Sequence, residues 1–139
     1  MTTTTSGPFG RPVSQVWSDE ETAQENGKIT GVRVWTGMRV DSIQLRYGTT
    51  WGQKHGAQGG SLKEFTLSSE DKINGVILKS SSHIEAIGFD MTNGKRIGPY
   101  GSGNAEIMKQ QDCELAFISG SADCQPCQGL NSLTFHWSQ

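Results

Sequence analysis

Three glycine-rich stretches hold the residues best placed to meet a ligand. They are Gly7-x-x-Gly10, Gly56-x-x-Gly59-Gly60 and Gly98-x-x-Gly101-x-Gly103, and each precedes a short strand and then a hairpin. A glycine either supplies a turn with positive φ or leaves backbone N–H groups bare for a ligand to approach. Backbone physics alone leaves both readings open. Catalytic chemistry is thinner. His55, His83 and His136 show no nucleophile–base pairing. Asp41 and Asp123 are the one imaginable glycosidase pair, and nothing in the sequence fixes the separation such a pair needs. Cys124-Gln-Pro-Cys127 has redox spacing. A thioredoxin-like pair, however, belongs at a strand–helix boundary, where a helix N-terminus lowers a thiol pKa. This one falls between two strands. A small disulfide loop in an oxidising compartment is therefore favoured, and a CxxC redox protein is kept as a remote alternative. Cys113 is the odd thiol, either buried or paired between subunits. Cys124, Cys127 and one distant His lack the usual four zinc ligands, so no metal or cofactor is expected.

The elements that must position these loops repeat. Leu115-Ala-Phe117-Ile118 and Leu130-x-x-Leu133-x-Phe135 flank the polar loop from Gly120 to Gly129, and alternation over short runs argues a hairpin. Ile29 to Thr36 with Val40 to Tyr47, and Ile73 to Lys79 with His83 to Met91, have the same shape. Ile43, Ile87 and Leu133 recur at intervals of 44 and 46 residues, which points to one supersecondary unit used three times. Short strands are expected at Val13 to Trp17, Leu62 to Leu67 and Ala105 to Met108. Ser18 to Lys28 reads as a solvated loop, and no stretch shows a convincing helical period. Residues 1–6 read as a disordered tail and residues 7–139 as a single domain.

Composition agrees with an all-β chain. The sequence has 139 residues, 33% of them apolar, and 18 glycines, as many tight turns between short strands require. A net charge of -2 gives no electrostatic reason to expect nucleic acid or an anionic membrane. No apolar run reaches membrane-spanning length. Met1 to Ser6 lacks a charged start and an apolar centre, so it is not a signal peptide. Either the chain stays in the cytosol or Met1 replaces a removed leader; secretion is weakly favoured.

At Val40-x-Ser-Ile43-x-Leu45-Arg46-Tyr47-Gly48, Gly59-Gly60, Phe117-Ile118-Ser119-Gly120 and Leu133-x-Phe135-His136-Trp137 the chain resembles the jacalin-related lectins, in particular the animal branch typified by the zymogen granule lectin. The resemblance covers nearly the whole chain after about residue 7. It implies a β-prism, three antiparallel sheets about a pseudo-threefold axis. It also implies sugar binding at one end of the prism, between a glycine-rich loop and a Gly-x-x-x-Asp loop. A carboxylate accepts hydrogen bonds from two adjacent hydroxyls while backbone N–H groups donate to their oxygens.

Carried over residue by residue, the usual site pairs Gly10 with Gly129 and Asn131 of the last hairpin. Here Asn131 replaces the Asp and Cys127 the Gly, and the loop is longer, with Asp123 as a substitute carboxylate. A second candidate is intact: Gly37-Met-Arg-Val-Asp41, facing Gly59 and Gly60. A third, the Ser80 to His83 turn with Glu85, lacks the glycine. Tyr100, Gly101, Ser102 and Asn104 match a flanking specificity loop. Trp51, Trp17, Tyr100 and Phe9 are either sugar-stacking rings or packing at the prism ends, whereas Trp35 and Trp137 read as structural. A disulfide between Cys124 and Cys127 would stiffen the last hairpin loop. The expected function is a non-catalytic, calcium-independent lectin for mannose- or glucose-type glycans, in a homodimer or higher oligomer. Its partners are glycans or glycoproteins, without nucleic acid or membrane insertion. The alternative is a protein-binding or targeting module without sugar affinity.

Overall fold

The computed structural model describes residues 3–109, 112–122 and 129–139. The strands are β1 (Thr3–Gly10), β2 (Val16–Ser18), β3 (Ile29–Thr36), β4 (Val40–Tyr47), β5 (Thr50–Trp51), β6 (His55–Gly56), β7 (Ser61–Thr66), β8 (Ile73–Ser80), β9 (Ile84–Met91), β10 (Arg96–Gly101), β11 (Glu106–Lys109), β12 (Glu114–Ser121) and β13 (Ser132–Ser138), with one helix, α1 (Glu20–Asn26), between β2 and β3. They form three antiparallel sheets, ordered β1-β13-β12-β2, β5-β4-β3-β7 and β10-β9-β8-β11, with β6 pairing beside β5 on β4. A sequence-adjacent hairpin forms the middle of each sheet. In the first sheet N-terminal strands flank the C-terminal hairpin, which closes the chain on itself. This is the β-prism.

The threefold repeat is visible in the register. Ile29 pairs with Tyr47, Ile73 with Met91 and Leu115 with Trp137, and in every case the register then slips by one residue. Each bulge re-aims its strand so that one set of side chains stays inward. That set makes one core: Val32, Val76 and Ile118; Ile43, Ile87 and Leu133; Leu45, Phe89 and Phe135; Tyr47, Met91 and Trp137. Ile43, Ile87, Leu133, Phe135 and Trp137 are each 0% exposed. Trp35 lies half-buried on an outer face.

Several sequence expectations are corrected. Residues 3–6 are not a tail but the first half of β1, paired with β13, and Trp137 Nε1 donates to Ser6 Oγ at 3.1 Å. The expected loop from Ser18 to Lys28 contains α1. Glu20 and Glu21 favour its first turn electrostatically, and Gly27, at φ 98°, stops it. None of its residues is buried, so it left no hydrophobic period to read. The stretch Gly98 to Gly101 is strand rather than loop, and the loop from Gly48 to Gly60 contains β5 and β6. The short strand at Val13 to Trp17 is confined to Val16–Ser18. Among the described residues no helix is long and apolar enough to cross a membrane.

A polar lock holds the turn between β7 and β8. Asp71 accepts from Ser68 N–H at 2.9 Å and from Asn93 Nδ2 at 2.6 Å, with Lys95 Nζ 3.5 Å away. The Ser68 amide is the chief reason the Asp71 carboxyl is held below its usual 3.8; burial opposes, and the Ser68 side chain, Asn93 and Lys95 assist. A depressed folded-state pKa gives stability that is present above the unfolded value and lost as pH falls through the folded value. Asp71→Asn is therefore expected to lower the urea midpoint at pH 7, with the gap from wild type closing as pH drops below 3.8. A gap of equal size at pH 7 and at low pH would contradict this.

Candidate functional site

The described ends of the three hairpins meet at one end of the prism. Each turn leads into a fully buried apolar residue, Val40, Ile84 or Leu130, and then into a polar position, Asp41, Glu85 or Asn131. The carbonyl of each polar position accepts a bond from an adjoining loop: Ala57 N–H to Asp41 O at 2.8 Å, Ser102 N–H to Glu85 O at 3.0 Å, and Arg11 N–H to Asn131 O at 2.8 Å. The glycine before each donor is obligatory. A Cβ on Gly56, Gly101 or Gly10 would stand 2.3, 2.1 or 2.2 Å from that same carbonyl oxygen, and all three have positive φ. The structural equivalents are thus Gly10, Gly56 and Gly101. The sequence register that set Gly59 against Gly10 and Gly101 is corrected by three residues.

The three corners share a backbone and differ in side chains. At the first, Asp41 is half-buried and lies between two glycines. An ideal Cβ on Gly60 would be 2.5 Å from Asp41 Oδ2, and one on Gly37 would be 3.7 Å from it. A Cβ on Gly59 would meet nothing within 4 Å. Gly59 and Gly60 adopt φ of 107° and 79° and are exposed. Among the described residues the Asp41 carboxylate takes no hydrogen bond or ion pair. A short carboxylate therefore stands unengaged beside a stretch of bare backbone.

The second corner is a cleft of about 430 Å³ lined by Met38, Arg39, Ser81, Ser82, His83, Glu85 and Ser102. Ser81 Oγ donates to Glu85 Oε1 at 3.1 Å, and Ser102 Oγ donates to the Met38 carbonyl. Burial holds His83 below its usual range, and the Arg39 charge adds to this while Glu85 opposes it. At neutral pH the imidazole is neutral. Met38, 88% exposed, was not singled out from the sequence; its place in the turn between Gly37 and Arg39 was the available signal.

At the third corner Asn131 is buried, 8% exposed, and its N–H bonds to Ser121 O at 3.0 Å. It is a packed residue rather than a surface turn residue. Gly129, at φ 107°, abuts Val40 O and Arg39 Cδ. Asp123, Cys124 and Cys127 lie outside the described residues. Cys113 is a buried free thiol.

The four aromatic rings are half-buried, and each packs on a neighbouring group. Trp17 stacks on His55 with centroids 3.5 Å apart, and Tyr100 packs on Phe65 at 5.9 Å. Phe9 packs on Phe135 at 6.1 Å, and Trp51 lies beneath the Arg33 guanidinium at 3.8 Å. In the flanking loop Gly101 and Ser102 belong to the second corner. Asn104 lines a separate cleft of about 170 Å³ with Phe9. A larger cleft, about 550 Å³, lies under α1 at the other end of the hairpins and contains none of the candidate residues. Among the described residues no group of three or more His, Cys, Asp or Glu is arranged to hold a metal ion.

Comparison with known proteins agrees with this geometry. Residues 6–136 match the model of the jacalin-like lectin domain. Zymogen granule membrane protein 16 of Rattus norvegicus is 25% identical over 119 residues, covering 82% of this chain and 68% of its own. Griffithsin of Griffithsia sp. (strain Q66D336) is 29% identical over 112 residues, covering 80% and 85%. The crystal structure of an artocarpin–mannopentose complex superposes with a TM-score of 0.79 at 16% identity, covering 100% of this chain and 99% of that one. The chain belongs to the jacalin-like lectin domain family, a family of carbohydrate-binding proteins.

Proposed function

We propose that this chain is a non-catalytic, calcium-independent lectin for mannose- or glucose-type glycans, and that Asp41 with the Gly56–Gly60 loop forms its principal sugar contact. The observation that carries this reading is the place of Asp41 Oδ2, within 2.5 Å of where a Gly60 side chain would begin. A pyranose offers adjacent hydroxyls that both donate and accept. The carboxylate takes two of their protons and nearby backbone N–H groups meet their oxygens, so no bridging cation is needed. Loops already held by strand pairing limit the ordering cost of binding. The artocarpin structures with mannopentose and with methyl-α-mannose support the class of sugar.

The corner with Glu85, Ser102 and Gly101 is a secondary site in this reading. The corner with Gly10, Gly129, Asn131 and Asp123 is a modified one, its loop stiffened by a Cys124–Cys127 disulfide. Residues 7–139 act as one lectin domain, and a homodimer would add the multivalency that weak single sites need. The zymogen granule relatives favour a secretory setting.

The direct test is a glycan array run with and without a chelator, followed by calorimetry with methyl-α-mannoside. Chelator-resistant binding is expected. Asp41→Ala is expected to weaken it by about tenfold or more, the loss of a charge-assisted bond, with little change in thermal stability. Glycan binding undiminished in Asp41→Ala would overturn the site. Absence of binding to every glycan would move the reading to a protein-binding prism. Gly60→Ala should also abolish binding, since its methyl would displace Asp41. It should cost on the order of 1–3 kcal/mol of stability because the backbone there has positive φ, read by urea unfolding.

A further inference from the structure

The Gly56–Gly60 loop starts from a buried polar cluster. His55 Nε2 lies 2.7 Å from Asp19 Oδ1, and Tyr47 donates its hydroxyl to Asp19 Oδ2 at 2.8 Å. His55 is 5% exposed, Asp19 2% and Tyr47 0%. Burial and the Asp19 carboxylate push the Tyr47 hydroxyl far above its usual range, so it stays protonated as a donor. The Trp17 ring lies flat on the His55 ring, 5° from parallel. The four residues come from β2, the start of α1, β4 and β6, so the cluster joins two sheets. Asp19 holds the N-cap position of α1 and makes no side-chain capping bond. It gives up the local bond an Asp there ordinarily makes and turns inward. A buried carboxylate persists only where its bonds are supplied, and His55 and Tyr47 supply them.

The repeat provides internal controls. The residue before each obligatory glycine is Phe9, His55 or Tyr100. Phe9 and Tyr100 pack on aromatic rings, which is all the scaffold needs at that position. Only the corner with the complete Gly-x-x-x-Asp and Gly-Gly pair has the hydrogen-bonded version. From His55 the constraint passes directly into the loop: His55 pairs with Ile43, Gly56 pairs with Ser42, and Ala57 N–H bonds to Asp41 O.

We propose that His55, anchored by Asp19, is a positioning residue that fixes the Gly56–Gly60 loop against Asp41, so that this corner is preformed for its sugar. The proposal rests on the reading that this corner binds the glycan.

The test compares His55→Phe, which copies the Phe9 corner, with His55→Gln, which retains a donor toward Asp19. Binding of methyl-α-mannoside is measured by calorimetry and amide exchange by NMR. His55→Phe should weaken binding about tenfold, as for a loop in its binding form roughly a tenth of the time. The amides of residues 57–60 should exchange faster while those of β8 and β9 keep their protection. His55→Gln should bind within about threefold of wild type. A folded His55→Phe protein with wild-type affinity overturns the proposal. Should His55→Phe not fold, Asp19→Asn decides: unchanged affinity and unchanged exchange at residues 57–60 overturn the proposal, and weaker binding with faster exchange there supports it. Asp41→Ala separates the two ideas. Binding that survives Asp41→Ala removes the corner and this proposal with it. Binding lost in Asp41→Ala but kept in His55→Phe removes this proposal alone.

Discussion

The molecule depends on how the described ends of three hairpins close on one axis. Val40, Ile84 and Leu130 are each 0% exposed, and backbone bonds run from Leu130 N–H to Val40 O at 3.4 Å and from Ile84 N–H to Leu130 O at 3.0 Å. Strand side chains alternate between faces. Seating Val40 and Ile84 on the axis therefore sends Asp41 and Glu85 outward to the rim, whereas Asn131, just before β13, stays buried. Asp41, Glu85 and Asn131 stand where they do because of the core. A slip of one residue would bury Asp41 and expose Val40, so core packing and the outward placement of Asp41 are set by one choice of register. The matching bulges after Ile29, Ile73 and Leu115 preserve that register at the far end of the hairpins.

A shared backbone does not make three equal sites. The bond from the post-glycine amide to the rim carbonyl occurs at every corner, so scaffold geometry cannot distinguish them. Side chains do. Asp41 is short and flanked by glycines, so its oxygens remain available. Glu85 is one methylene longer and is engaged by Ser81. Asn131 is buried and carries no charge. The corners thus differ in the strength of the acceptor each can offer to hydroxyl groups.

Much of this was legible in the sequence. The interval joining Ile43, Ile87 and Leu133 gave the repeat, since core positions tolerate few residue types. Gly37-x-x-x-Asp41 with Gly59-Gly60 could be read because its parts are close in the chain. What escaped reading had physical causes. α1 has no fully buried residue and packs only Ala23 against the core, so no period marks it. The Thr-rich start of β1 carries no apolar alternation, and its pairing partner lies at the other end of the chain. Gly56 was misregistered against Gly59 because both are glycines with positive φ, and only the contact of Gly56 with the Asp41 carbonyl separates them. The Asp19–His55 pair spans 36 positions, and neither residue type signals burial. The aromatic rings were ambiguous because a ring near a loop looks the same in sequence whether it packs inward or faces a ligand.

That last ambiguity bears on affinity. Trp17, Tyr100 and Phe9 spend their apolar faces on other rings, and Trp51 on Arg33. The Asp41 corner offers a carboxylate and bare backbone, while the exposed Met38 side chain lines the neighbouring cleft with Glu85. Polar groups of this kind exchange bonds to water for bonds to ligand and so yield little net free energy apiece. Direction and spacing carry the selectivity, and loops already fixed by strand pairing spare the ordering cost that would otherwise consume the small gain. With the polar corners gathered at one end of the prism, a branched glycan that engages a second corner does so at high effective concentration. The closure of the hairpin ends on one axis thus gathers the polar corners and sets their spacing.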